Sequence, residues 1–548
     1  MAKTIFYGED ARKRVQSGAK ILYEAVKTTY GPKGRNVVIS KPFGAPTVTH
    51  DGVTVAQSID LPDNDEETLG YKVGAELIKT AADKLNKVAG DGTTTVTVLT
   101  YNIIEEANKL IAAGHNPMEL RRGIESAGAE AVAKIDKLAE SIEGKNARVA
   151  EVATISAGSE EIGKLIAEVL EKVGKDGVIT VENGQSLDME SEVVEGFSLD
   201  KGWSSPFFVS DQARQEATFE KPSILVTDKK ISNIQEFLPV LEKLANAGRK
   251  DIVIFADEVD GEALSVLILN KLKGVLNTAV VKAPAFGDRR KMVLSDIAAL
   301  TGATFISEDL GMTFEEVELH DLGSARKVII GKDETTLIEG AGKKASVSAL
   351  IDEIKNLAEA ASSDYDRDFL NKRAAALAGK VAVIKVGGAT ETEIEEKKYR
   401  VDDAVSAVKA ALGGGIVAGG GVTLVNVASD LKKVKDPIES VGRNILARAL
   451  RAPFVQIMQN AGLNSQALLA QVESSEAGMG INVLTPEKGL MDMKKAGVID
   501  PAQVAKEAVQ NATSIAATTI TMGALVVDIP EKDSGDMPSA AGMGGMGF

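Results

Sequence analysis

The hydrophobic pattern changes period twice along this chain, and those two changes restrict its architecture more than any other feature. Residues 8–30 repeat apolar side chains at helical spacing, with Val15, Ala19, Leu22 and Val26 on one face and Asp10 placed to cap the helix. A hairpin is predicted next, from Asn36–Ser40 and Thr47–Thr49 around Pro42 and Gly44. Residues 66–112 predict two long helices around a glycine-bracketed loop, and 117–138 a third, with Pro117 suited to a first turn. A linker, Glu143-Gly144-Lys145-Asn146, precedes further helical stretches at 147–157 and 160–173. Strand-like runs then take over at 178–181, 192–196, 223–227, 252–256, 278–282, 303–306 and 327–330, with helices at 234–246, 262–273 and 289–301 between them. A strand at 382–386 and a charged helix at 391–412 lead back to helices that run to about Thr521. An α/β module inserted into a mainly helical chain is the arrangement this order predicts.

Composition then narrows the function. A chain of 548 residues suggests more than one domain. A formal net charge of −16 argues against nucleic acid or an anionic membrane as the main partner. Cysteine is absent, so disulfides, thiolate zinc sites and cysteine nucleophiles are excluded. His50, His115 and His320 are too scattered in sequence to suggest a metal cluster. The start lacks the apolar core of a signal peptide, and no stretch approaches the roughly 20 apolar residues of a membrane span. A cytoplasmic protein is the expectation. Aromatic residues make up only 4%, which leaves few platforms for stacking bases.

The chemistry-bearing stretch is Gly90-Asp91-Gly92-Thr93-Thr94-Thr95. Flanking glycines let backbone approach a ligand, and aspartate is a hard oxygen ligand suited to Mg²⁺. Threonine hydroxyls and N–H groups at a helix start form an anion cradle, aided by the helix dipole. The same residues equally suit an ordinary turn with a threonine N-cap. Gly31-Pro32-Lys33-Gly34 lacks the spacing of a Walker A loop; it reads as a helix stop whose N–H groups can also face phosphates. Asp51, before Gly52, reads locally as a turn aspartate, and Asp403 as part of a solvated helix face.

Four stretches occur in an order that points to one family: Thr29-Tyr30-Gly31-Pro32-Lys33-Gly34-Arg35-Asn36, the Gly90–Thr95 loop, Lys282-Ala283-Pro284-Ala285-Phe286-Gly287-Asp288-Arg289-Arg290, and Val417-Ala418-Gly419-Gly420-Gly421. A Gly/Met-rich end follows. The whole chain resembles a group I (GroEL-type) chaperonin. The resemblance implies a multidomain α+β fold that assembles into rings. It implies a mainly helical equatorial domain from both chain ends (1–137 and 414–529), a small intermediate domain (138–194 and 382–413), an inserted α/β apical domain (195–381) and a disordered tail (530–548). It also implies a homo-oligomer of two stacked seven-membered rings that hydrolyses ATP with Mg²⁺ and K⁺. Unfolded polypeptides would be encapsulated under a GroES-type co-chaperonin.

Residue by residue, the resemblance makes Asp91 the Mg²⁺ ligand and gives the phosphates to Gly92, Thr93, Thr94 and Thr95. Thr29, Tyr30, Gly31 and Pro32 would line the nucleotide's other side. Asp51 and Asp403 would position the attacking water, since phosphoryl transfer needs positioning and charge management more than covalent chemistry. Gly420, Asn482, Val483, Val498 and Asp500 resemble a base-and-ribose pocket, and Ile155 and Ser156 a further nucleotide contact. Trp203, Phe207, Phe208, Leu238, Leu241, Leu264, Ile268 and Leu269 would form an apolar surface for substrate and co-chaperonin, which should therefore compete. The two leucine sets fall at helical spacing, a pattern that ordinary core stripes share.

Several positions depart from the family pattern. His50 stands where a lysine is usual, at a position whose backbone carbonyl helps to hold K⁺. Lys380 replaces one glycine of the expected upper hinge, Gly379 and Gly196 remaining. Gly413-Gly414 replaces an acidic pair before Gly415, which is expected to loosen the lower hinge and alter domain closure. Residues 61–67 are longer and more acidic than the pattern. Two other functional classes fit these residues less well. A metabolic ATP-dependent enzyme such as a kinase lacks its signature here. A passive polypeptide-binding scaffold is opposed by the presence of Asp51, Asp91 and Asp403.

Overall fold

The computed structural model describes residues 3–40, 46–62, 65–174, 177–184, 186–212, 214–361, 363–431 and 433–529. The chain forms two compact units, one from Met1–Glu168 with Thr390–Phe548 and the other from Val169–Ala389. The first is mainly helical and the second is built on a sheet, as the two changes of period require.

In the helical unit, Tyr71–Ala89, Thr93–Ala112, Pro117–Leu138, Pro437–Ala449 and Ala502–Ile520 share one core. Leu85, Leu99, Ile103, Leu120, Ile124, Leu446 and Val509 fill it. Alanine supplies much of the rest, which lets helices approach closely with few aromatic rings: Ala505, Ala508, Ala512 and Ala516 all come from one helix. The chain ends meet as an antiparallel pair, Lys3–Tyr7 with Ala524–Asp528, a long-range pairing that local periodicity does not encode. The expected hairpin forms from Val37–Ile39 and Thr47–Thr49.

One expected cap is corrected. The first helix is Gly8–Val26 and its N-cap is Tyr7, which brings no side-chain acceptor. Asp10 lies in the first turn, where it favours the helix dipole and accepts a hydrogen bond from Arg14 Nε at 3.2 Å. Arg14 in turn donates to the carbonyls of Glu66 and Leu69 and so pins the loop before the next long helix.

The second unit carries a ten-stranded sheet among the described residues. Ser223–Thr227, Asp251–Ala256 and Asn277–Lys282 lie parallel, and Ile234–Asn246 and Gly261–Leu272 are the helices between them in sequence. Their apolar runs are continuous because both faces are covered; every residue of Ser223–Thr227 is buried. Gly323–Ile330, Thr335–Gly340, Glu190–Leu199 and Lys380–Val386 extend the sheet antiparallel, and Val178–Asn183 closes that end parallel to its neighbour. Strand Glu190–Leu199 is continuous through Gly196, whose N–H donates to the Gly379 carbonyl at 3.3 Å. The helices Lys344–Ala360 and Asp364–Leu377 were not singled out by periodicity.

The charged helix runs Glu391–Gly414, so Gly413 and Gly414 lie inside its last turn and Gly415, at φ +77°, closes it. The Gly/Met-rich end expected at 530–548 lies outside the described residues.

Candidate active site

The loop at Gly90–Gly92 is an abrupt joint between two long helices. Gly90 and Gly92 both adopt positive φ, 66° and 87°, the first ending Tyr71–Ala89 and the second opening Thr93–Ala112. Such a joint requires glycine at both ends. With glycine at the N-cap, no side chain caps the first-turn N–H groups, which leaves the usual anion-binding character of a helix start.

Asp91 sits between the glycines. Its carboxylate accepts a hydrogen bond from the Gly92 N–H. Burial nonetheless holds its pKa above the ordinary carboxylate value, against the pull of that N–H and of the Ser156 hydroxyl, and the charge of Asp51 adds to the rise. Ser156 Oγ is itself buried and acts on that carboxyl from beside it without making a hydrogen bond of full geometry. A half-buried carboxyl without a countercharge, beside a hydroxyl with hydrogen-bonding capacity to spare, fits a cation carrying oxygen ligands. Among the described residues, no group of three His, Asp or Glu side chains is placed to hold a metal ion by itself.

Asp500 enters from the strand Ile499–Pro501, paired with Ile416–Ala418 so that it lies opposite Val417. A Cβ at Gly419 would fall 2.9 Å from Asp500 Oδ1, so the glycine run after Ala418 makes room for this carboxyl. Burial first, then the charge of Asp91, pushes Asp500 up to about 7. A group whose folded pKa is raised favours folding fully below its unfolded value of about 4, and that contribution is lost as pH rises through about 7. Between pH 5 and pH 8 the thermal midpoint is therefore expected to fall more steeply in the wild type than in Asp500→Asn. Equal slopes would remove this assignment.

Tyr30 completes the buried side. Its hydroxyl lies 2.7 Å from Thr95 Oγ1, and its ring packs on the apolar cluster that holds Ile457, Val483, Met493 and Val498. A Cβ at Gly420 would meet Met493 Cε at 3.2 Å and Val498 Cγ1 at 3.9 Å, which brings the glycine turn to the same cluster. Asn482 accepts from the Leu484 N–H at 2.9 Å and shapes the adjoining turn.

The residue after Asp51 and the helix that carries Asp403 both touch the Gly90–Gly92 loop or its threonine run. Asp51 caps Gly52–Ser58: Oδ1 accepts from Val53 N at 3.1 Å, and Oδ2 from Thr54 N and Thr54 Oγ1, both at 2.7 Å. The turn reading of Asp51 is thus correct locally. Gly52 also lies flat on the threonine run, since a Cβ there would fall 2.2 Å from Thr94 Oγ1. The helix bearing Asp403 touches the loop through Ser406: a Cβ at Gly90 would lie 2.1 Å from Ser406 Cβ. Ser406 is three residues beyond Asp403 and shares its helix face. Nothing in the sequence marked Ser406, because a serine in a charged helix carries no local signal.

Other expected contacts are placed less directly. Thr29 is buried and spends its hydroxyl on the Val26 carbonyl at 2.9 Å. Gly31 is half-buried; Pro32, His50 and Ile155 are exposed. In the second unit, the expected apolar surface needs correction. Phe208 and Leu241 are 0% and 5% exposed and belong to the core. The buried residues of helix Ile234–Asn246 are Ile234, Phe237, Val240, Leu241 and Leu244, and Leu238 lies outside that set. Trp203, Leu264 and Ile268 are partly buried against that core, and Trp203 Nε1 donates to the Gln215 carbonyl at 3.0 Å. Phe207, Leu238 and Leu269 are exposed, as are Leu272 and Val275, which the spacing argument missed.

A family model described as the TCP-1/cpn60 chaperonin family matches residues 22–530. Among solved structures, the chain is similar to the chaperonin gp146 from the bacteriophage EL 2 (Pseudomonas aeruginosa), crystallised in presence of ATP-BeFx. The two share 22% sequence identity with a TM-score of 0.67, over 96% of this chain and 99% of that one.

Proposed function

Because the chain belongs to the TCP-1/cpn60 chaperonin family and is therefore a protein-folding chaperone, we propose that it couples ATP hydrolysis to the capture and release of non-native polypeptides. The observation that carries the ATP part is the half-buried Asp91 carboxyl, without a countercharge, at a glycine-opened helix start and beside the Ser156 hydroxyl. The structural neighbour crystallised with ATP-BeFx supports the same reading. Gly92 and Thr93–Thr95 bind the phosphates through first-turn N–H groups and hydroxyls. Val483 and Val498 offer an apolar wall to the base, and Asp500 a hydrogen-bonding group to the ribose. Asp91 would hold Mg²⁺, which supplies charge neutralisation on the phosphates when bound. Asp403, with Asp51 in support, orients the attacking water and takes its proton. K⁺ would be held in part by the His50 carbonyl, which a side-chain change leaves available.

Polypeptide binding belongs to the second unit, on exposed Phe207, Leu238 and Leu269 with Leu272 and Val275. A GroES-type co-chaperonin would compete for the same residues. A double seven-membered ring, the division into equatorial, intermediate and apical domains, and a cytoplasmic location complete the proposal. No helix among the described residues is long and apolar enough to cross a membrane, and the net charge of −16 disfavours nucleic acid.

The direct test is calorimetric titration of ATP with and without Mg²⁺, on the wild type and Asp91→Ala. Mg²⁺-dependent binding that weakens by about 100-fold in the variant is expected from losing a charged ligand. Binding that ignores both Mg²⁺ and the substitution would sink the assignment of Asp91.

A further inference from the structure

Resting on the reading of the helical unit as an ATP site, we propose that Tyr30 is a positioning residue: its hydroxyl holds the Thr95 hydroxyl off its own helix and aims it, as a donor, at the phosphates of a bound nucleoside polyphosphate.

The same helix supplies the comparison. Thr97 and Thr100 turn their hydroxyls onto the carbonyls four residues back, Thr93 at 2.9 Å and Val96 at 2.7 Å. That is the ordinary fate of a threonine inside a helix. Thr95 instead meets the Tyr30 hydroxyl at 2.7 Å. Tyr30 comes from a different part of the chain and is fixed at both ends. Its carbonyl accepts from Asn460 Nδ2 at 2.9 Å, and the same nitrogen bonds the Lys27 carbonyl at 2.9 Å. Its ring packs on the cluster containing Ile457, Val483 and Val498.

Either hydroxyl can donate in this bond, and an anionic neighbour selects Tyr30 as the donor because it draws the Thr95 proton. Burial, with Asp500 and Asp91 nearby, raises the phenol pKa, so the hydroxyl keeps its proton. A Tyr30 that donates leaves Thr95 Oγ1 as acceptor and sends the Thr95 proton elsewhere. An anionic phosphate oxygen is the stronger acceptor than a backbone carbonyl. One side chain thereby joins the apolar wall proposed for the base to the loop proposed for the phosphates, and it acts on the second through Thr95.

The test uses the full-length chain and Tyr30→Phe, which keeps the ring and removes only the hydroxyl. Affinities for ADP and for adenosine are compared by calorimetry and competition. ADP binding is expected to weaken about tenfold, the scale of one hydrogen bond to a charged group, with adenosine unchanged. Thr95→Val should show the same loss, the double variant no further loss, and Thr95→Ser wild-type affinity. Unchanged ADP affinity in Tyr30→Phe, equal weakening for adenosine, or additive losses in the double variant would each overturn the proposal while leaving the ATP reading intact. A wild-type protein with no affinity for ADP or ATP would overturn both.

Discussion

Asp403→Ala is expected to lower ATP turnover by at least about 100-fold and to leave ATP affinity within about twofold of the wild type. The reasoning is local. Asp403 lies on a helix face that reaches the Gly90–Gly92 loop through Ser406, and in the proposed site it would add a carboxylate beside the half-buried Asp91. A carboxylate used to orient water and accept its proton acts in the transition state, so its loss appears in kcat rather than in binding. Asp51 is committed to three hydrogen bonds at a helix start. Asp51→Ala should therefore lose helix stability as well as turnover, which makes Asp403 the cleaner probe. Steady-state turnover and ATP titration on the same preparation check this. A variant that binds ATP more weakly in proportion to its lost turnover would place Asp403 in ground-state binding instead.

Gly90→Ala is expected to be nearly as damaging, for a reason that involves no chemistry at Gly90. The residue sits at φ +66°, which costs an alanine about 1–2 kcal/mol. The new methyl would also fall 2.1 Å from Ser406 Cβ and 3.4 Å from Ser406 Cα, so the helix carrying Asp403 must move or the loop must. Overpacking of that kind costs about 1–3 kcal/mol. Turnover should fall at least about tenfold, with a lowered thermal midpoint. Adding Ser406→Gly removes the collision but not the backbone strain, so it should return part of the turnover and little of the stability. If Ser406→Gly restores nothing, the contact between this helix and the loop does not matter to the reaction.

The periodicities made the architecture legible where local spacing determines structure. Helix Ile234–Asn246 and the loop between Ala89 and Thr93 stand where apolar spacing and paired glycines put them. Contacts between stretches far apart in sequence were not legible. The pairing of Lys3–Tyr7 with Ala524–Asp528, and of Ile416–Ala418 with Ile499–Pro501, depends on tertiary proximity that no local window contains. The site divides the same way. Asp91 was readable because glycines and threonines flank it, whereas Asp403 and Asp500 were named through the family resemblance alone. Phe208 and Leu241 show the limit of face arguments, because spacing groups residues on a helix face without saying whether that face meets a sheet or solvent.

In the proposed cycle, ATP hydrolysis drives the release of captured polypeptide in a folded form. The most direct test dilutes a denatured, aggregation-prone enzyme into the full-length protein with a matching co-chaperonin and follows recovered activity. Capture without recovery is expected in the absence of nucleotide, recovery on adding ATP, and no recovery when ATP is added to Asp403→Ala. Recovery that proceeds equally without ATP, or equally well in the Asp403→Ala protein, would contradict it.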